Sequence, residues 1–337
     1  MTVLKVWNIH ESELNTDQVL QSLNQIAQAL KSGEVIGMPT ETVYGLAADA
    51  TNDEAIQKVF QAKGRPGDNP LIIHIYDISQ LDAFVTQIDK KAQRLMDAFW
   101  PGPISFILPL KPDVLSEHAT VGLNTVAVRM PKHPVARAVL QHADVPIAAP
   151  SANTSGRPSP TRAAHVSHDL GDTIYGVIES EISEFGLEST VLDCTSIPFR
   201  ILRPGAISHK QIETVLNESI QIDDTHSDKP VSPGMKYQHY APHQQVSVIR
   251  DWETIELPKD VGVIAPATVK QYIREDVYFI ALCEDEFAYQ EAGQNLYHAL
   301  REMDNSTVNE IYIHGFNKND DTAALNNRIF RAAGIKS

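Results

Sequence analysis

The sequence predicts an α/β protein in two units, and three observations carry that prediction. The chain has 337 residues, more than one ordinary domain. Hydrophobic residues make up 42% and charged residues 21%, which allows a sizeable core and excludes wholesale disorder. Segments of helical period alternate with short apolar runs along most of its length, the pattern of helices layered on a sheet.

Val19, Leu20, Leu23, Ile26, Ala27 and Leu30 recur at helical spacing behind Asn15-Thr16, and Gly33 follows as a stop, so residues 16–31 read as an amphipathic helix. A buried strand at 35–38 comes next. The alternation continues with a helix at about 53–62, a strand at 71–76, helices over 78–99, strands at 104–109 and 125–130, a helix at 134–142 and a short strand at 146–149. Strands at 173–178 and 190–193 are followed by one at 199–202, a tail that points to a mixed sheet. Ser208 with Gln211 then forms a capping-box start for a helix to about 218.

From 221 to 242 the helical period disappears and the stretch Ser232-Pro-Gly-Met-Lys-Tyr-Gln-His-Tyr-Ala-Pro242 appears. A bland spacer would be nearly interchangeable in sequence. This one gathers two Tyr, a Met and a His into six positions, which suits a connector that docks on a surface. Beyond it, strands at 246–249, 261–265, 277–281 and 310–314 and helices at 286–303 and 321–333 make a second, smaller α/β unit. The expected organisation is a unit over 1–218, an ordered linker over 219–245 and a small domain over 246–337.

The formal charge is −15, and both halves are acidic, by 7 charges over 1–216 and 8 over 217–337. That balance argues against a dedicated grip on a phosphate backbone. A small anion can still be held by a few converging cations, because charges beyond a Debye length of about 8 Å are screened. Lys5, His10, Glu11 and Glu13 leave the start of the chain without a signal-peptide apolar region, and no 18-residue apolar run occurs. Cys194 and Cys283 form no paired framework, so a cytoplasmic protein is expected.

The Walker pattern and the common dinucleotide, hydrolase and metalloprotease templates are absent. His74, His118, His133 and His142 lack ligand spacing, and no protein metal site is expected. Three stretches remain. Pro39-Thr-Glu-Thr-Val-Tyr-Gly-Leu46 follows a strand, where its hydroxyls could meet a polar substrate or simply cap a turn. In Lys63-Gly-Arg65-Pro-Gly-Asp-Asn69, an extended backbone would aim Lys63 and Arg65 at one anion; the same residues also suit a solvated loop. Ser151-Ala-Asn153, inside a stretch rich in Gly, Pro and Ser, offers a hydroxyl and an amide to phosphate or ribose, or makes turns. Arg129, inside the strand Thr125-Val-Ala-Val-Arg129, needs a carboxylate partner.

Taken together, Lys63-x-Arg65 and Ser151-x-Asn153, with P-T-E-T-V-Y-G-L, D-N-P-L-I-I-H-I, V-R-M-P, E-S-T-V and R-P-G, resemble the threonylcarbamoyl-AMP synthase family. The motifs stand in family order over about residues 17–210, and S-P-G-M-K-Y-x-H-Y-x-P followed by an α/β domain looks like the family's two-domain form. The resemblance implies a twisted mixed-sheet catalytic domain of the type called YrdC-like, followed by a smaller Rossmann-like α/β domain. It implies an ATP-using nucleotidyltransferase that makes L-threonylcarbamoyladenylate and pyrophosphate from L-threonine, bicarbonate or CO2, and ATP, for threonylcarbamoyladenosine on tRNA beside the anticodon.

Carried over residue by residue, the ATP contacts would be Arg65, Asn69, Ser151 and Arg203. Lys63 and Asn153 complete the K-x-R and S-x-N signature, which makes Lys63, Arg65, Ser151 and Asn153 the catalytic set. Thr125 and Ser159 are further nucleotide candidates, and His239 and Tyr240 of the linker would close over the nucleotide. The threonine side would be Thr42, His74, Arg129, the backbone at Ala149, and Ser189. Mg2+ would be bound mainly through ATP phosphates, with Glu41 or Glu188 at its water shell. The adenylate would pass to a tRNA threonylcarbamoyl transferase, without strong nucleic-acid or membrane binding by this chain. A nucleic-acid-binding module and a carbamoyl-transfer enzyme of the hydrogenase-maturation type are the two rival classes.

Overall fold

A computed structural model describes residues 4–222 and 239–335. The first unit runs β1 (Lys5–Asn8), α1 (Asp17–Lys31), β2 (Ile36–Met38), β3 (Gly45–Asp49), α2 (Asp53–Lys63), β4 (Ile72–His74), α3 (Leu81–Phe84), α4 (Lys90–Phe99) and β5 (Ile104–Pro109). It continues through α5 (Glu117–Thr120), β6 (Thr125–Arg129), α6 (Pro134–Ala143), β7 (Ile147–Ala148), α7 (Ala163–Leu170), β8 (Gly176–Glu179), β9 (Thr190–Asp193), β10 (Arg200–Arg203), α8 (His209–Leu216) and β11 (Gln221–Ile222). The second unit holds β12 (Gln245–Ile249), β13 (Val261–Ala265), β14 (Tyr278–Ala281), α9 (Tyr289–Asp304), β15 (Glu310–His314) and α10 (Ala323–Ala332).

Local chemistry sets several boundaries. The Thr16 side chain accepts from Val19 N to open α1, and Asn52 accepts from Ala55 N to open α2. Gly64, at φ 57°, ends α2 in the left-handed conformation that favours glycine. The capping box of Ser208 and Gln211 is present at α8. The helices predicted over 78–99 are separated where Val85 turns extended and bridges Leu110, and Asp89 caps α4 afresh. Strand β3 lacks the alternation of a half-buried strand because all five of its residues are buried.

The first unit builds one mixed sheet in the order β1-β8-β2-β3-β7-β4-β6-β5-β9-β10-β11, with β1·β8 and β4·β6 parallel and β5·β6 antiparallel. The second builds a fully parallel sheet, β12-β15-β13-β14. Apolar clusters cover the first sheet, one including Ile56, Val59 and Phe106 and another including Leu23, Ile26 and Val139. The core of the second unit takes in Val43 and Leu187 from the first and Tyr240 from the connector, so the two units share apolar surface. Among the described residues no helix is long and apolar enough to cross a membrane.

Candidate active site

Strands β4 and β6 run parallel with His74 and Arg129 in register at their C-terminal ends, the end at which open α/β sheets hold ligands. Three pieces of chain close around this pair: the turn between β2 and β3 with Thr40, Thr42 and Tyr44, the segment after β7 with Ala149 and Ser151, and Ser189, just before β9, with Arg203 at the end of β10. A bridge between Gly45 and Ser151 ties the first two together. Arg65, Glu188, His239 and Tyr240 complete the lining of one cleft.

At one end lies a buried ion pair. Arg129 Nη2 is 2.7 Å from Glu41, and its Nη1 donates to Thr42 Oγ1 at 2.7 Å. The carboxylate that Arg129 requires is therefore Glu41. Burial pushes the Glu41 pKa up, but the Arg129 charge and the Lys132 backbone N–H outweigh that and hold it below its ordinary value. His74 is driven down to about 3 by burial and by Arg129, so its ring is neutral at physiological pH. With Nδ1 donating to Ile72 O at 3.1 Å, Nε2 is left as an acceptor. Ser189 Oγ lies 2.9 Å from Ser105 Oγ and accepts from Arg203 Nη2 at 3.1 Å.

At the other end, Arg65 is aimed by its own loop: Nε donates to Asn69 O at 3.1 Å and Nη2 to Pro70 O at 3.0 Å. Burial and the neighbouring Arg203 charge lower its pKa to about 10, so Arg65 stays charged at neutral pH. Two like charges held this close, in a chain of net charge −15, make a local site for a polyanion.

Lys63 departs from the expected geometry. It is the last residue of α2, and the left-handed Gly64 separates it from Arg65, so the two do not share the face of an extended segment. Its ammonium is buried and donates to Asn153 O at 2.6 Å and to Ser151 O, pinning the 151–153 loop from behind. Burial, then the Arg65 charge, push its pKa well below the ordinary lysine value.

Asn153 Nδ2 donates to Thr154 O and Arg157 O, which shapes the same loop, while Asn153 Oδ1, Asn69 Oδ1 and His239 Nε2 are buried without a hydrogen-bond partner among the described residues. Buried acceptors of this kind normally have a donor. Ser159 donates to Glu188 at 2.5 Å and does not line the cleft. Thr125 begins β6, at the far end from Arg129, and does not line it either.

Most of the linker motif, 232–238, lies outside the described residues. Its end docks: Ala241 N donates to Gly156 O at 2.9 Å, and Tyr240, at φ 68°, packs on Tyr297 with ring centroids 5.4 Å apart. A non-glycine residue in the left-handed region costs about 1–2 kcal/mol and is held there by its surroundings. Burial, then Arg65, bring the pKa of His239 down to about 3, leaving a neutral ring.

Sequence reasoning missed two residues that meet this site, Tyr297 and Arg328 of the second unit, both bonded to Glu188. They carry no motif. The only sequence signal is a helical period that buries their face.

A family model described as "Telomere recombination" matches residues 28–205, and one described as "Threonylcarbamoyl-AMP synthase, C-terminal domain" matches 207–334. A threonylcarbamoyl-AMP synthase of Bacillus subtilis is 43% identical over 336 residues, 95% of this chain and 96% of that protein. One from Pyrococcus abyssi is 40% identical, covering 91% and 92%. The crystal structure of Pyrococcus abyssi Sua5 complexed with L-threonine superposes with a TM-score of 0.87 at 36% identity, covering 98% of each chain.

Proposed function

The chain belongs to the threonylcarbamoyl-AMP synthase family, and from that premise we propose that one cleft takes L-threonine at its Arg129–Glu41 end and ATP at its Arg65–Arg203 end. The protein is an enzyme. It joins L-threonine, bicarbonate or CO2, and ATP into L-threonylcarbamoyladenylate and pyrophosphate, the precursor of threonylcarbamoyladenosine on tRNA. The observation that carries our assignment of ends is the pairing of His74 and Arg129 at two adjacent strand ends, in a cleft that Arg65 and Arg203 also line.

In this reading the threonine amine takes up CO2 as a carbamate, and a carbamate oxygen attacks the α-phosphorus as pyrophosphate leaves. The step needs placement and charge neutralisation more than a strong base. Arg65, Arg203 and Ser151 contact the phosphates, with Asn69 at the nucleotide; Lys63 and Asn153 hold the 151–153 backbone in place. Thr42, neutral His74, Arg129, Ser189 and the Ala149 backbone receive threonine. His239 and Tyr240 cover the nucleotide and keep water from a hydrolysable anhydride.

The donor set does not suit a protein-held magnesium ion. Both carboxylates of the site are bonded to arginines, Glu41 to Arg129 and Glu188 to Arg328. We propose that magnesium enters with its substrate, as MgATP. The acidic balance supports hand-over of the adenylate to a tRNA-modifying transferase without tight RNA binding here. The buried, unpaired Cys194 and Cys283 suit the cytoplasm.

Calorimetric titration of two variants tests the two ends. Arg65→Ala should weaken ATP by about 10- to 150-fold, the loss of a charged hydrogen bond of about 1.5–3 kcal/mol, and leave threonine unchanged. Thr42→Val should weaken threonine and spare ATP. Both variants weakening the same ligand would refute the assignment.

A further inference from the structure

Glu188 stands one residue before Ser189, and the second unit holds it. Arg328 Nε donates to Glu188 Oε2 at 2.7 Å and Tyr297 Oη to the same oxygen at 2.9 Å. A second nitrogen of the same guanidinium, Nη2, donates to the Glu188 carbonyl at 3.4 Å, so Arg328 spans both the side chain and the peptide leading into Ser189. The Arg328 side chain is wholly buried, an unfavourable place for a cation unless such partners surround it. Gly205 packs closely on the next peptide, Ser189–Thr190, where a Cβ would lie 2.1 Å from Thr190 N, 2.4 Å from the Ser189 carbonyl carbon and 2.7 Å from Glu188 O. Just upstream, Gly186, at φ 66°, lets α9 approach so closely that a Cβ would meet Gln294 Cα at 2.4 Å. Tyr240, which lines the cleft, lies over the Arg328 guanidinium at 5.5 Å.

We propose that Arg328 is a positioning residue for the synthase reaction, bracing the Glu188–Ser189 peptide so that Ser189, and the Arg203 guanidinium bonded to it, face the cleft at a fixed distance. This rests on the reading of the cleft given above. Arg328 touches no substrate in that account; it acts through Glu188. Lysine keeps a buried positive charge beside the carboxylate but replaces a planar fork that reaches two acceptors with a compact ammonium.

Full-length Arg328→Lys and Arg328→Gln, compared with the parent by steady-state pyrophosphate release with threonine varied at saturating ATP and bicarbonate, test the proposal. The lysine variant should melt within a few degrees of the parent. Its KM for threonine should rise by about fivefold or more while kcat changes by less than about twofold, with a larger rise for the glutamine variant. A purely structural role would lower the amount of active enzyme and leave that KM in place, so a folded lysine variant with the parental KM overturns the proposal. If the glutamine variant fails to fold, the lysine variant, which keeps the charge, decides alone. A parent enzyme that releases pyrophosphate without any dependence on threonine would instead overturn the reading of the cleft.

Discussion

Glu188 is buried beside two arginines. Burial pushes its pKa up, but the charges of Arg328 and Arg203 and the Ser159 hydroxyl bring it down to about 2, from 4.5 for the free side chain. A carboxylate depressed in this way contributes stability that is complete above pH 4.5 and is lost as pH falls from there towards 2. Melting temperatures measured across that window should therefore fall less steeply for Glu188→Gln than for the parent, and parallel curves would contradict the ion pair. Arg65, Ser151, Arg129 and Ser189, which the family resemblance pointed to and residue spacing alone left open, all line the cleft. The Glu188 partner was not legible, since Arg328 lies 140 residues away on a helix whose pattern says only that one face is buried. Lys63 shows a different limit: its spacing to Arg65 was plain, but the direction of its side chain depended on where α2 ended.

Elements were read best where a cap or a period marks them. Thr16, Asn52 and Ser208 cap their helices as their types suggest, and the parallel strands of the second unit appear as short apolar runs. β3 escaped because burial on both faces removes alternation. Two neighbouring substitutions separate a role in stability from a role at the site. Ser208→Ala removes the cap of α8 and should cost about 1 kcal/mol of stability with kcat/KM unchanged. Gly205→Ala places a methyl against the Ser189–Thr190 backbone; it should cost about 1–3 kcal/mol and also reduce kcat/KM for threonine by about tenfold. Urea unfolding with parallel kinetics checks both, and equal activity losses would contradict the distinction.

For the molecule as a whole, the second unit grips the site loops through several contacts. Besides Arg328 and Tyr297, Arg301 donates to Asp169 and to Pro158 O, Arg157 pairs with Asp304, and His165 lies 3.1 Å from His298. A chain ended after Ile222 would lose both Arg328 and Tyr297 from Glu188, and with them the brace on the peptide leading into Ser189. That truncated protein should remain folded, judged by circular dichroism, and lose threonine-dependent pyrophosphate release; full, coupled activity would contradict the dependence on the second unit. Two α/β units were foreseeable from period and composition, whereas their interface was not, because the polar pairs and the apolar contacts of Val43, Leu187 and Tyr240 that make it carry no local pattern.

The most direct measurement is pyrophosphate release by the full-length protein with ATP, magnesium and bicarbonate, with and without L-threonine, followed by mass analysis of the nucleotide product. The account predicts release that depends on threonine, with threonylcarbamoyl-AMP formed alongside. Release at the same rate without threonine, or no adenylate, would contradict it.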